Sequence, residues 1–245
     1  RASAKLYLVH LVLALYTITN ILLLKLKKID KGHYLIDINN SEDFYDFRSK
    51  EILEISPPQT SANFMHLSNV RYSLTSLHRK SNALYFETIY YVLRPFLKAK
   101  RFVYIKSENN FVNEVLDAYQ EYYNDSYYIY KIVFWILNFL KIKTFLSLDD
   151  SRYSNEINLA SRDLNIKTIG YMHGRFNEYH LGIFEFPFNK YLVWSNYFKN
   201  KLLEISNKYN QNDIKVVGFF RIKEILSEVK NRRNILWLGE SNIKY

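Results

Sequence analysis

The 245-residue chain contains no cysteine, which excludes disulfides, thiolate zinc sites and a cysteine nucleophile together. It also lacks both phosphate-loop fingerprints, Gly-x-Gly-x-x-Gly and Gly-x-x-x-x-Gly-Lys-Ser/Thr. No recognised nucleic-acid motif occurs, and the basic residues are scattered along the chain rather than gathered in one stripe, so nucleic acid is not the expected partner. His66 and His78 have no metal-ligand spacing. What is present is 48% hydrophobic residues, ample for a core, and a formal charge of +10. That charge favours an anionic partner, either a phosphorylated or nucleotide substrate or an anionic membrane surface.

Five short apolar runs carry the fold expectation: 144–148, 166–172, 191–194, 214–217 and 235–238. Each stops on a polar residue or a glycine, namely Asp149, His173, Ser195, Gly218 and Gly239. The spacing of roughly 21 to 24 residues accommodates one strand and one short helix per unit. Alternating strands and helices predict an α/β chain with a parallel sheet. Ligands in such sheets sit at the carboxyl ends of the strands, which places Asp149, His173, Ser195 and Gly218 along one rim.

The residue types at that rim are chemically apt. His173 ends an apolar run, and an imidazole takes a proton from an attacking hydroxyl near neutral pH. Gly174 beside it lets a substrate approach the backbone, and Arg175, Asn177, Glu178 and His180 follow in a dense polar segment. Asp149 and Asp150, with Arg152 nearby, either orient a substrate hydroxyl and support the histidine or simply cap the helix expected over 154–164. Gly218 and Arg221 suit a turn that meets an anionic group at a helix start, or an ordinary strand-to-helix turn.

Upstream, Leu6–Leu24 is an apolar run broken by His10, Thr17, Thr19 and Asn20 and followed by Lys25-Leu-Lys-Lys28. Nineteen helical residues rise about 28 Å, close to a bilayer core, and the basic cluster would hold the following chain on the cytoplasmic side. No small-residue cleavage site follows, which disfavours a signal peptide. The competing reading is a helix buried in the protein or lying in the membrane interface. The chain starts at Arg1 without an initiator Met, so its amino end reads as a cut or processed one.

His33–Ile38 predicts a first strand, Ser41–Tyr45 a short capped helix, and Pro57-Pro58 a loop. Residues 61–80 are too mixed to assign. Ser81–Leu97 predicts a helix whose Tyr85, Phe86, Tyr90 and Tyr91 form a core stripe or, alternatively, a lipid-facing or acceptor-facing one. Arg101–Ile105 predicts a strand, and helices are expected over 110–123 and 127–140, the second apolar nearly all round.

The order of these features resembles the amino-terminal half of bacterial GT-B fold transferases of surface polysaccharide synthesis, including the CDP-glycerol glycerophosphotransferase-like and the capsule or lipopolysaccharide transferase families. The resemblance rests on Leu148-Asp-Asp-Ser-Arg152, Ile166-Lys-Thr-Ile-Gly-Tyr-Met-His-Gly174, Lys190-Tyr-Leu-Val-Trp-Ser195, Val216-Val-Gly218 and Ile235-Leu-Trp237. Met172 stands where those families commonly carry Gln or Trp, and Asp149-Asp150 is not the Asp-x-Asp of many metal-dependent sugar transferases. It implies a Rossmann-like parallel sheet flanked by helices over 31–230, preceded by an apolar helix over 1–30. Residues 231–245 would be a linker and the first strand of a second domain that holds most of the donor site. It further implies His173 as catalytic base, with Asp149 or Asp150 next in line, and no cofactor beyond a nucleotide-activated donor. That donor would be a nucleotide sugar or CDP-glycerol, the acceptor a glycan or glycolipid, and the place of action the cytoplasmic face of the bacterial inner membrane. A non-catalytic membrane-associated binding or scaffold module is the alternative.

Overall fold

A computed structural model describes residues 2–26, 34–38, 61–65, 83–100, 108–148, 153–172 and 187–218. The strands are β1 (Tyr34–Ile38), β2 (Ser61–Met65), β3 (Ala83–Leu84), β4 (Thr144–Leu148), β5 (Lys167–Tyr171), β6 (Lys190–Val193) and β7 (Ile214–Val216). They form one sheet in the order β3-β2-β1-β4-β5-β6-β7, every neighbouring pair parallel. The order reverses between β1 and β4, which is the doubly wound arrangement that leaves a crevice beyond the carboxyl ends of those two strands. The expected α/β class and parallel sheet are therefore present, and the four strands β4 to β7 lie side by side in chain order.

Strand composition follows the burial of one face. Burial alternates along the strands, with Phe145 and Ser147, Thr168 and Gly170, and Tyr191 and Val193 buried and the residues between them only partly so, so one face is covered more closely than the other. Gly170 is required sterically, because a Cβ there would lie 2.5 Å from Phe188 Cδ2. The approach to β6 is fastened to β5 by Asn189, whose Oδ1 accepts from the Thr168 amide at 2.7 Å while its own amide donates to Thr168 Oγ1 at 3.0 Å.

The helices are α1 (Ala2–Leu26), α2 (Phe86–Leu93), α3 (Asn110–Leu140), α4 (Ser154–Asp163) and α5 (Asn196–Ile205). A single α3 spans the two helices expected over 110–123 and 127–140. The three polar residues between those two ranges find partners on neighbouring segments. Asn124 Oδ1 accepts the Lys100 amide at 2.7 Å, Asp125 accepts the Tyr90 hydroxyl, and Ser126 donates to Glu156 at 2.6 Å. The helix ends at Lys141, in left-handed geometry with φ 58°. The helix expected over 81–97 is also revised: Ala83–Leu84 pairs with β2, α2 starts only at Phe86, and Arg94–Phe96 tightens into a 3-10 turn at Pro95. The unassigned segment 61–80 contains β2. The strands expected over 101–105 and 235–238 and the helix over 41–45 lie outside the described residues.

One hydrophobic cluster joins α1, α2, α3, α4 and α5 with β3, β4, β6 and β7 and with Ile166 and Met172 at the two ends of β5. Tyr85, Phe86 and Tyr90 are fully buried and Tyr91 is partly buried against the cluster, so the aromatic stripe is core. Helix α1 buries His10, Leu13, Ala14, Thr17, Ile21 and Leu24, the one-sided spacing of a packed helix. Polar bonds fix it there as well: Thr17 Oγ1 accepts the Tyr85 amide at 3.0 Å, and Lys25 Nζ donates to the Phe139 carbonyl at 2.7 Å. Its other face exposes Leu8, Leu15, Leu22 and Leu26 to 59%, 57%, 51% and 77%. Among the described residues α1 is the helix long and apolar enough to cross a membrane, yet it is also a structural part of this fold.

Candidate functional site

The strand register brings the carboxyl ends of β4 to β7 to one level. Leu148 pairs with Tyr171, Tyr171 with Leu192, and Leu192 with Lys215. The ladders continue past the strands proper, since the Met172 amide donates to the Leu192 carbonyl at 2.9 Å and the Val217 amide to the Val193 carbonyl at 2.9 Å. Met172 is fully buried. The regular ladder thus reaches the residue immediately before His173, just as β4 reaches the residue immediately before Asp149.

Two of the expected site residues lie within the described structure, Ser195 and Gly218. Both follow the rim at the corresponding step, after β6 and after β7. Ser195 stands at the start of α5 with extended backbone, and its hydroxyl makes no capping bond to the helix amides. Its carbonyl instead accepts the Lys199 amide at 3.1 Å. Gly218 has φ +83°, and a Cβ there would meet nothing within 4 Å. Its glycine is therefore explained by the left-handed turn and not by a close neighbour. His173, Asp149, Asp150, Arg152, Gly174, Arg175, Asn177, Glu178 and Arg221 lie outside the described residues.

A carboxylate that the sequence analysis passed over, Glu156, is buried in the first turn of α4, the helix that follows β4. Its Oε1 accepts from Ser126 Oγ at 2.6 Å and from the Tyr122 hydroxyl at 3.2 Å. Burial, reinforced by the Glu156 charge, pushes the Tyr122 phenol above its ordinary value. The neighbouring Tyr130 is held at about 12, chiefly by its hydrogen bond to Asp163 and secondarily by burial. The tyrosines at 122, 123, 127 and 130 recur at helical spacing and so share a face of α3, which was legible in the sequence. The pairing of Tyr122 with Glu156 was not, because it depends on how α3 and α4 meet. Among the described residues no group of three His, Asp or Glu stands close enough to hold a metal.

No protein family, curated protein or solved structure matches the chain. Its function therefore has to be argued from the rim and its surroundings.

Proposed function

We propose that the chain is the acceptor-side, Rossmann-like domain of a GT-B-type glycosyltransferase acting in bacterial surface polysaccharide synthesis. The observation that carries this reading is a doubly wound parallel sheet whose β5–β6 ladder runs to Met172, one residue short of His173. A histidine following a buried strand at the ligand-binding edge of such a sheet is suited to general-base work. In the proposed reaction His173 removes the proton from an acceptor hydroxyl. The freed oxygen forms a new bond to the sugar carbon or glycerophosphate phosphorus of the donor, while the bond from that centre to the nucleotide's phosphate oxygen breaks. Asp149, Asp150 and Arg152 orient the acceptor or the histidine, and Ser195, Gly218 and Arg221 border the donor's anionic end.

Membrane association is part of the proposal. The exposed leucines of α1 and the net positive charge together suit an anionic bilayer surface at the cytoplasmic face, where nucleotide-activated donors are found. The test is nucleotide release by the whole protein from a panel of nucleotide sugars and CDP-glycerol, with glycan or glycolipid acceptors. Acceptor-dependent release is expected, and His173→Ala should lower it about 10²- to 10⁴-fold. Near-normal release by a folded His173→Ala protein would remove His173 from the role of base. Binding of acceptor with no release of any nucleotide would favour the non-catalytic binding module.

A further inference from the structure

Helix α1 has two faces with different surroundings. The inner face belongs to the fold: Leu13, Ala14, Thr17, Ile21 and Leu24 are buried, and three bonds along the helix fasten it. The Tyr7 hydroxyl donates to the Val92 carbonyl at 3.4 Å, Thr17 Oγ1 accepts the Tyr85 amide at 3.0 Å, and Lys25 Nζ donates to the Phe139 carbonyl at 2.7 Å. The outer face is apolar from end to end. Leu8, Val12, Leu15, Leu22 and Leu26 are exposed at helical spacing, a stripe about 27 Å long. Thr19 is the polar member of this stripe, and its hydroxyl donates to the Leu15 carbonyl at 2.9 Å. Its donor is thus satisfied within the helix, as contact with lipid requires.

Width and charge both select a bilayer as the cover of this face. Ile18 and Leu23 are exposed on either side of the stripe, which makes the face wider than the narrow seam that a second helix covers. Helix α1 contains no acidic residue, α2 contributes only the buried Glu87, and α3 contains none from Ser126 to Leu140. Lys5, Lys25 and Lys131 lie exposed on the same elements, a distribution suited to anionic headgroups. The stripe also continues onto α3. Lys25 Nζ lies 5.1 Å from the centroid of the Phe139 ring, and that ring stacks at 5.5 Å on Trp135, an indole 49% exposed. An exposed indole beside a lysine suits the membrane–water interface, where the ring sits at headgroup level and the ammonium reaches water.

Crossing the bilayer would demand something else of α1. A spanning helix would have to withdraw its buried side chains from the core and leave the Tyr85 amide without its acceptor. We propose that α1 instead lies in the plane of one leaflet as part of the folded protein, its outer stripe and Trp135 set into the headgroup boundary of an anionic bilayer. The inference rests on the membrane association proposed above and specifies its form.

Because the chain has no cysteine, single introduced cysteines report individual positions. Ala4→Cys and Leu15→Cys, both at exposed positions of α1, would each carry a nitrobenzoxadiazole fluorophore. The full chain would be added to sealed vesicles of phosphatidylcholine with and without phosphatidylglycerol. The Leu15 probe should shift to the blue on the phosphatidylglycerol vesicles, and dithionite added outside should reduce the Ala4 probe completely, since both ends of α1 stay in the outer leaflet. Trp135→Ala should weaken vesicle binding about 3- to 10-fold, the loss expected for a half-exposed indole, with the melting point unchanged. An Ala4 probe reduced only after detergent opens the vesicles would show a spanning helix and overturn this inference while membrane association stands. A blue shift at Leu15 that grows with protein concentration without vesicles would assign the face to a second copy and overturn it as well. Vesicle binding indifferent to Trp135→Ala would refute the seating on α3. Absence of any vesicle binding would remove both this inference and the membrane part of the proposed function, leaving the transferase chemistry to its own test by nucleotide release.

Discussion

Replacing Gly170 with alanine tests the packing that holds β5 in place. The added Cβ would sit 2.5 Å from Cδ2 of Phe188 and 2.8 Å from its Cε2 and Cγ, a clash against the body of the ring. Phe188 has little room to retreat, since its amide donates to the Tyr209 hydroxyl at 3.1 Å and its ring stacks on Tyr191 at 6.0 Å. Overpacking of a well-filled core costs about 1–3 kcal/mol, which for a chain of this size lowers Tm by about 2–12 °C. Thermal unfolding followed by circular dichroism measures it. Adding Phe188→Leu should recover part of the loss, because it removes the ring that the alanine strikes. A melting point within about 1 °C of the parent for Gly170→Ala, or a double variant less stable than the sum of its parts, would refute the reasoning.

Thr17→Val keeps the shape of the side chain but leaves the Tyr85 amide without the acceptor seen at 3.0 Å. It should cost about 1–3 kcal/mol in chemical denaturation, and no change would mean that α1 is not integral to the fold. His10 gives a pH signature. Burial against α2, partly opposed by the Glu87 carboxylate, holds its imidazole below the ordinary 6.5. The unfolded chain then takes up a proton that the folded chain resists. Stability should be full above about pH 6.5 and fall as the pH drops through the window between that value and the lowered folded one. His10→Gln should reduce that slope between pH 7 and 5 in denaturant titrations; an unchanged slope would contradict the cause. On the exposed face of α1, Leu15→Ser with Leu22→Ser removes two half-buried anchors of about 1 kcal/mol each. Binding to vesicles rich in anionic lipid should fall about 10- to 100-fold with no change in melting point, and unaltered binding would place the membrane contact elsewhere.

The sheet was legible where each strand is an isolated apolar run between turns, as over 144–148 and 190–193. It was not legible at β2, because Ser61-Ala-Asn-Phe-Met65 carries two polar residues, or at β3, whose two residues merge with the helical pattern that follows. The false break in α3 shows why local polarity misleads: Asn124, Asp125 and Ser126 are turn-forming residues whose partners lie on other elements. The order of strands, with its reversal between β1 and β4, depends on long-range pairing that no local pattern encodes. At the rim, strand ends marked Ser195 and Gly218 by position. Glu156 escaped notice because a glutamate in a first helical turn normally serves the helix dipole, and only its burial under Tyr122 and Ser126 sets it apart.

The most direct test of the acceptor-side reading is a binding titration of this chain against nucleotides, nucleotide sugars, CDP-glycerol and glycolipid acceptors, with His173→Ala alongside. Selective binding of a glycan or glycolipid, with nucleotides bound weakly, is the predicted result. Tight binding of a nucleotide would put the donor site on this domain and contradict the division of labour, and failure to bind any of them would contradict the reading as a whole.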